Sequence, residues 1–596
     1  MQVYDAPIRD MRFNLEELHA EDGFGNLEGF EDFDEDMTVA ILEEANKLCR
    51  DVLLPINWSG DQEGCRIENG VVRTPKGFPE AYKQFCEGGW AGLAVDQKWG
   101  GQGAPHSLAK MVEEMSCSTN LSFGLYPGLT GGAMVSLEAY GSEDQKNFYM
   151  PKLANGEWSG TMCLTEPHCG TDLGMLRTKA EPQEDGSYTI TGNKIFISAG
   201  DHDLTENIIH LVLARTPDAP AGVKGISMFL VPKFMPNEDH SLGNRNPVNA
   251  TAIEHKMGLK ASATCQMSFD GATGWLVGEE NRGLEAMFAM MNTERVAVGI
   301  QGLGVGEIAY QSSVYYAKER LQGRSLSGVK NPDGPADPII VHPDVRRMLM
   351  TMRCYNEGSR AVSAWVARAL DAEHAAVEPE ARERAKDFVA LMTPVVKALF
   401  TDLGHEASHM AIQIHGGHGY IQETGIEQFA RDARIAQIYE GANGIQALDL
   451  VGRKLPDRMG RNLRSFFHPV SQFIDDNLRD EQIGKMVGGL QQAFGALQMS
   501  TGHIAQKGLK DAEEAGAAAT DYLRLLGFVA MGYCFAKAAQ KAHARLAEGT
   551  DEAAFYEAKI ITARFFFDRL LPPVMAQMMA ITSGKASMMD MPVEAF

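Results

Sequence analysis

The chain has 596 residues, too many for one hydrophobic core, so three or four domains are expected. Its 55 basic and 79 acidic residues leave a net charge of -24, which repels nucleic acid and anionic membrane surfaces. The nine cysteines are scattered with no C-x-x-C pair, which indicates reduced thiols and a cytoplasmic setting rather than a disulfide framework.

The opening MQVYDAPIRDMRFNLEELHAEDG carries charges throughout and no apolar core, so no signal peptide is expected. Residues 1–36 read as an extended, acidic N-terminal arm with turns at DGFGN and EDFDED. From 37 to 159 the pattern is helical: MTVAILEEANKLCRDVLLPI has apolar residues at three- and four-residue spacing, and Trp99–Gly103 breaks the run as a glycine-rich turn. Residues 160–275 change texture to short β-branched and aromatic runs between Gly, Asp and Pro, a β domain. Helical periodicity returns over 276–460, and an Ala- and Met-rich helical block fills 461–596. Within it the apolar run Leu525–Ala536 is too short to span a bilayer and reads as a core helix. The fold class is mainly α with a central β domain.

Two motifs suggest chemistry that their surroundings argue against. His405-Glu406-x-x-His409 has zinc-hydrolase spacing, with His415 ten residues after His405 as a third ligand. The glycine that should redirect the chain is Ile412, and a continuing helix points His415 away, so no metal is expected. Gly302-x-Gly304-x-Gly306 looks dinucleotide-like, but NTERVAVGI before it reads as helix, so these glycines predict close helix packing.

Three stretches say more. In MCLTEPHCGTD (162–172) Pro and Gly shape a turn whose amides and hydroxyls, Thr165 and Thr171, suit a polar ligand edge or phosphate, although an ordinary hairpin connection has the same composition. In Lys194–Ser198 (KIFIS) strand alternation places Phe196 and Ser198 on one face, fit for a planar, polar-edged ring or for a plain core pair. In Arg434–Gly441 (RIAQIYEG) Glu440 follows an apolar run and precedes a glycine, a setting that would raise a carboxylate's pKa by desolvation.

With KERLQGR (318–324), QIHGGHGY (413–420) and RDARIAQIYEG (431–441), these stretches stand in the order found in the acyl-CoA dehydrogenase family, which the chain resembles. YDAPIRDMRF, KMGLKASATC (256–265), GIQALDLVGRKL (444–455) and the final block resemble a long subgroup of about this length. The resemblance implies helical, β-barrel-like and four-helix-bundle domains plus an additional C-terminal helical domain, with FAD as cofactor. It implies that Met162, Thr165 and nearby backbone meet the flavin, and that Gly170 and Thr171 meet the FAD phosphates. Phe196 would lie beside the isoalloxazine and Ser198 near N5. Arg320, Gln322, Gln413 and Gly417 would reach the FAD of a neighbouring subunit, in a homodimer. The family's usual Thr and Gln after the catalytic Glu-Gly are replaced by Ala442 and Gly444.

The implied reaction is α,β-dehydrogenation of a short acyl-CoA thioester, 3-methylmercaptopropionyl-CoA first and fatty acyl-CoAs as the alternative. Glu440 takes the α-proton as a hydride leaves for flavin N5, and electrons pass to electron-transferring flavoprotein. Tyr439 would wall the cavity and Gly441 allow close thioester approach. Glu294 matches a second family position for the base, with Arg295 near the CoA region or as its ion-pair partner. Acyl-CoA oxidase, DNA-associated flavoprotein and zinc hydrolase are the more distant readings.

Overall fold

The computed structural model describes residues 2–20 and 24–596, in two compact units. One unit comprises Met1–Glu44, Pro105–Ser118 and Val298–Phe596; the other comprises Ala45–Ala104 and Thr119–Ala297.

The second unit is organised by a seven-stranded sheet. Trp158–Cys163 runs parallel to Asn207–Ala214, which pairs antiparallel with Ser227–Pro232. The long strand Thr264–Val277 joins Ser227–Pro232 at one end and Tyr188–Ser198 along the rest, with Val248–Ile253 also on it. Lys179–Pro182 follows Tyr188–Ser198, and Ala180 N–H donates to Arg215 O at 2.8 Å. That contact brings the last strand back to the end of Asn207–Ala214, giving the barrel-like closure expected. NIIHLVLA and SMFLVP are buried along their whole length, which is why their sequences are mostly apolar on both faces rather than alternating, with Asn207, His210 and Ser227 as buried polar exceptions. Cys163, Ile190, Val212, Phe229 and Phe269 belong to the core they share. Arg66–Glu68 and Val71–Arg73 form a hairpin inside the block read as helical. Its turn is Asn69-Gly70, both at positive φ (52° and 77°), the pair that a tight hairpin turn requires.

The first unit is helical. Pro343–Ala375 and Pro379–His415 each begin on proline, whose missing N–H costs nothing at a helix start. They pack with the later part of Gly283–Glu319, where the glycine trio does what its helical setting predicted. A Cβ on Gly302 would lie 2.4 Å from Phe400 O, and one on Gly404 2.0 Å from Gly302 O, so the two backbones touch. Arg461–Asn477, Gly484–Gly508, Ala512–Glu548 and Ala553–Phe565 build the final block, with Leu525–Ala536 buried inside Ala512–Glu548. Among the described residues no helix is long and apolar enough to cross a membrane. All nine cysteines are free thiols.

The opening segment departs from expectation. Ile8–Leu18 is helical rather than extended, with Met11, Phe13 and Leu18 buried. Ile8, Met11, Leu15 and Leu18 have helical spacing, which the surrounding acidic residues masked. The Asp22–Gly23 part of the expected turn lies outside the described residues.

Candidate active site

Helix Glu427–Ala436 ends just before the stretch that carries Glu440. Gln437–Gly441 then turns back on itself, with Ile438 and Tyr439 N–H both donating to Ile435 O. Glu440 sits at φ 55° and Gly441 at φ 85°. A left-handed glutamate costs about 1–2 kcal/mol, and such strain persists where the surroundings impose it. Here they do. Gln446, fully buried in the short helix Asn443–Asp449, donates from Nε2 to Glu440 O at 3.0 Å and Gly441 O at 3.2 Å. Asn443 N–H donates to Gln437 O, and its side-chain amide donates to Ala398 O and Asp402 Oδ1. Buried Lys397 donates to Asn443 Oδ1 at 2.8 Å, and Tyr439 OH donates to Gln301 Oε1.

The apolar run does not form the expected pocket around Glu440. Ala436 is buried and Ile435 half-buried, but Ile438 is 51% exposed and Glu440 is half-buried. The helix ends at Ala436, so the residues beyond it splay to different sides instead of lining one face. Water exclusion at Glu440 therefore has to come from whatever binds over it.

Arg320, Gln322, Gln413 and Gly417 come together at a different place in the same unit. Tyr316 stacks on His415 with ring centres 4.3 Å apart, and its hydroxyl lies 3.1 Å from His418 Nδ1. Arg320 N–H donates to Tyr316 O, so the end of Gly283–Glu319 and the end of Pro379–His415 share one edge. All four residues are exposed. Tyr439 meets the Gly283–Glu319 helix at Gln301, nineteen residues before Arg320 and about 28 Å along the axis.

In the other unit the Met162–Asp172 turn and the Lys194–Ser198 strand end are neighbours: Ile195 N–H donates to Thr165 O at 2.9 Å. Buried Glu166 pins the turn by accepting from Lys194 Nζ at 2.8 Å, Thr178 Oγ1 and the N–H groups of Arg177 and Thr178. Burial pushes the Glu166 carboxyl up, but Lys194 and the hydrogen bonds outweigh it and hold it below its ordinary value. Burial holds the Lys194 ammonium below its own. Neither residue was singled out from sequence, since a Glu before Pro and a Lys opening a strand carry no signal until they meet.

The alternation expected at KIFIS is broken. Lys194 pairs with Met267 and Ile197 with Cys265, so two residues, Ile195 and Phe196, face one, Gln266. This bulge puts Phe196 at φ 57° and leaves the residue 60% exposed. Phe196 is exposed and Ser198 half-buried on either side of buried Ile197, and Gly170 and Thr171 are exposed at the turn. Met162 and Thr165 are half-buried.

Glu294 is buried, with Oε1 2.4 Å from where a Cβ on Gly132 would stand. Its neighbour Arg295 donates to Asn292 Oδ1 at 3.2 Å.

The three histidines of the zinc-like motif do not converge. His405 and His409 face each other with Nε2 atoms 3.2 Å apart, while Glu406 is held by Tyr355 OH and Arg524. His415 stacks on Tyr316, and its Nδ1–H donates to Ala411 O.

Residues 38–157, 161–272 and 281–455 match the N-terminal, middle and C-terminal domains of acyl-CoA dehydrogenase, and 466–592 match the acetyl-CoA dehydrogenase C-terminal-like family. The chain is 42% identical over 592 residues to 3-methylmercaptopropionyl-CoA dehydrogenase of Ruegeria pomeroyi, covering 98% of this chain and 99% of that one. The chain belongs to the acyl-CoA dehydrogenase family. It is 34% identical over 617 residues to a broad-specificity linear acyl-CoA dehydrogenase of Mycobacterium tuberculosis, with both chains covered completely. In fold it resembles the acyl-CoA dehydrogenase of Bacillus anthracis solved with FAD, at a TM-score of 0.76 and 20% identity over 97% of this chain and 92% of that one.

Like its family, this acyl-CoA dehydrogenase is an FAD-dependent oxidoreductase. The side chains present fit that cofactor. An aromatic ring held open at positive φ, a hydroxyl two residues on and an exposed Gly-Thr turn offer a flat apolar surface beside polar groups. Of the two family contacts that the sequence lacks, the position of Gly444 has open space where a Cβ would stand.

Proposed function

We propose that this acyl-CoA dehydrogenase oxidises a short acyl-CoA thioester to the trans-2-enoyl-CoA, with 3-methylmercaptopropionyl-CoA as its substrate and Glu440 as its base. The observation that carries the assignment of the base is the left-handed backbone at Glu440, held by the buried amide of Gln446 just past the end of a helix. Substrate choice rests on the 42% identity over nearly the whole chain. Fatty acyl-CoAs are the second reading, favoured by the broad-specificity relative at 34%.

Bound FAD supplies the acceptor for the hydride leaving Cβ. The chain's own groups do the rest. Glu440 accepts the Cα proton, and its N–H with the Gly441 peptide faces the thioester carbonyl whose oxygen gathers charge. Tyr439, fixed on Gln301, walls the acyl side. Met162, Thr165, Gly170, Thr171, Phe196 and Ser198 hold the cofactor, with Arg295 toward the CoA. Arg320, Gln322, Gln413 and Gly417 hold the cofactor of a second copy. Their exposure and their distance from Tyr439 along one helix support that division. The enzyme works as a cytoplasmic homodimer and passes electrons to electron-transferring flavoprotein.

Purified protein mixed anaerobically with a panel of acyl-CoAs tests the substrate. The flavin absorbance should bleach fastest with 3-methylmercaptopropionyl-CoA. Faster bleaching by medium- or long-chain acyl-CoAs would move the assignment to the fatty acyl reading, and no bleaching by any thioester would remove both.

A further inference from the structure

We infer that Gln446 is a positioning residue, whose side-chain amide holds Glu440 in the conformation that presents its carboxylate. The inference rests on the reading of Glu440 as the base. Its two N–H bonds run to two successive carbonyls, Glu440 O at 3.0 Å and Gly441 O at 3.2 Å. Two consecutive residues at positive φ, 55° and 85°, bring those carbonyls to one donor. A glutamate left to itself would relax to negative φ and swing its carboxylate away.

The amide's orientation is fixed by its partners. Turned over, Oε1 would face two carbonyl oxygens; as placed, Oε1 is buried with no hydrogen-bond partner. An unmatched buried acceptor is costly, so the clamp is retained at the expense of local stability. Gln446 is itself fully buried, and its helix is entered through Asn443, which Lys397, Asp402 and Ala398 O secure. The same amide explains the glycine at 441. A Cβ there would lie 2.6 Å from Gln446 Nε2, so the glycine is required by the clamp as well as by any thioester above it.

Gln446→Met keeps length and removes both donors. It should lower kcat about ten- to a hundredfold while the KM for acyl-CoA and the binding of a non-oxidisable thioester analogue stay within about threefold. Gln446→Glu supplies a second, independent arm. Its carboxyl donates one hydrogen bond only when protonated, so its kcat should fall with rising pH relative to wild type and recover in acid. Unchanged kcat in Gln446→Met, or a Gln446→Glu profile parallel to wild type, would overturn the inference. Loss of analogue binding in step with kcat would overturn it too, by showing general damage. If instead Glu440→Gln turns over normally, the base assignment fails, whatever the Gln446 variants do.

Discussion

Glu440 is held in a backbone region that glutamate disfavours, and three neighbours are needed to hold it there. In the proposed role as base, a carboxylate fixed in this way would avoid searching rotamers and backbone states at the moment of proton transfer. Glu440→Gln should lower turnover by about a thousandfold or more, with no flavin bleaching by substrate, while Glu294→Gln keeps most of both. Stopped-flow absorbance on the two variants decides it; the reverse pattern would hand the role to Glu294. The glutamate and its glycine stood out in sequence because an acid between an aromatic and a glycine is an uncommon setting. Gln446, Asn443 and Lys397 did not, because glutamine, asparagine and lysine carry no mark of burial until a fold surrounds them.

At the scale of elements, the helices Gly283–Glu319 and Pro379–His415 pass with backbones in contact at Gly302 and Gly404. Neither position has room for a methyl group, so Gly404→Ala should destabilise the protein by about 1–3 kcal/mol through forced separation of the helices. A fall in the urea midpoint with an unchanged slope would show it. The helical setting of the glycine trio was readable from NTERVAVGI, and it excluded a nucleotide loop correctly. The bulge at Phe196 was not readable. A two-residue period is assumed wherever a strand is recognised, and the extra residue shows only once Gln266 is found opposite two partners. The Asn69-Gly70 hairpin, by contrast, had its turn written in the sequence and was overlooked inside a helical stretch.

Across the molecule, the first unit is tied together by buried charge. Arg360, fully buried, meets Asp10, Glu114 and Glu307 at 2.5, 2.5 and 2.9 Å, three carboxylates far apart in sequence. Lys559 from the final block joins Asp10 and Glu357, and Arg353 pairs with Glu357. Four carboxyls thus face three cations, and burial pushes Glu114 up to about 7, so one proton balances the set near neutrality. Asp371 gives a cleaner test of buried charge. It accepts from His106 and Ser107 N–H, and burial pushes it from 3.8 to about 6. A carboxyl raised on folding holds its proton more tightly in the native state. Its contribution is therefore complete below about pH 4 and lost as pH rises through about 6. The stability of wild type minus that of Asp371→Asn should fall by up to about 3 kcal/mol over that range. A difference that stays flat in denaturant titrations at pH 4 and 7 would contradict it.

By itself the sequence determined the family and the order of its domains, and it marked out a Gly-Pro turn and an acid beside a glycine, because each is written in local spacing. Only the tertiary structure decided that the first residues are a buried helix, that Phe196 rides a bulge, and that the apolar run leaves Glu440 half-buried. It alone brought Gln446 beneath the Glu440 peptide and Arg360 among carboxylates from three segments. These depend on which groups meet across long sequence separations, and desolvation and hydrogen bonding act on neighbours in space, whatever their distance along the chain.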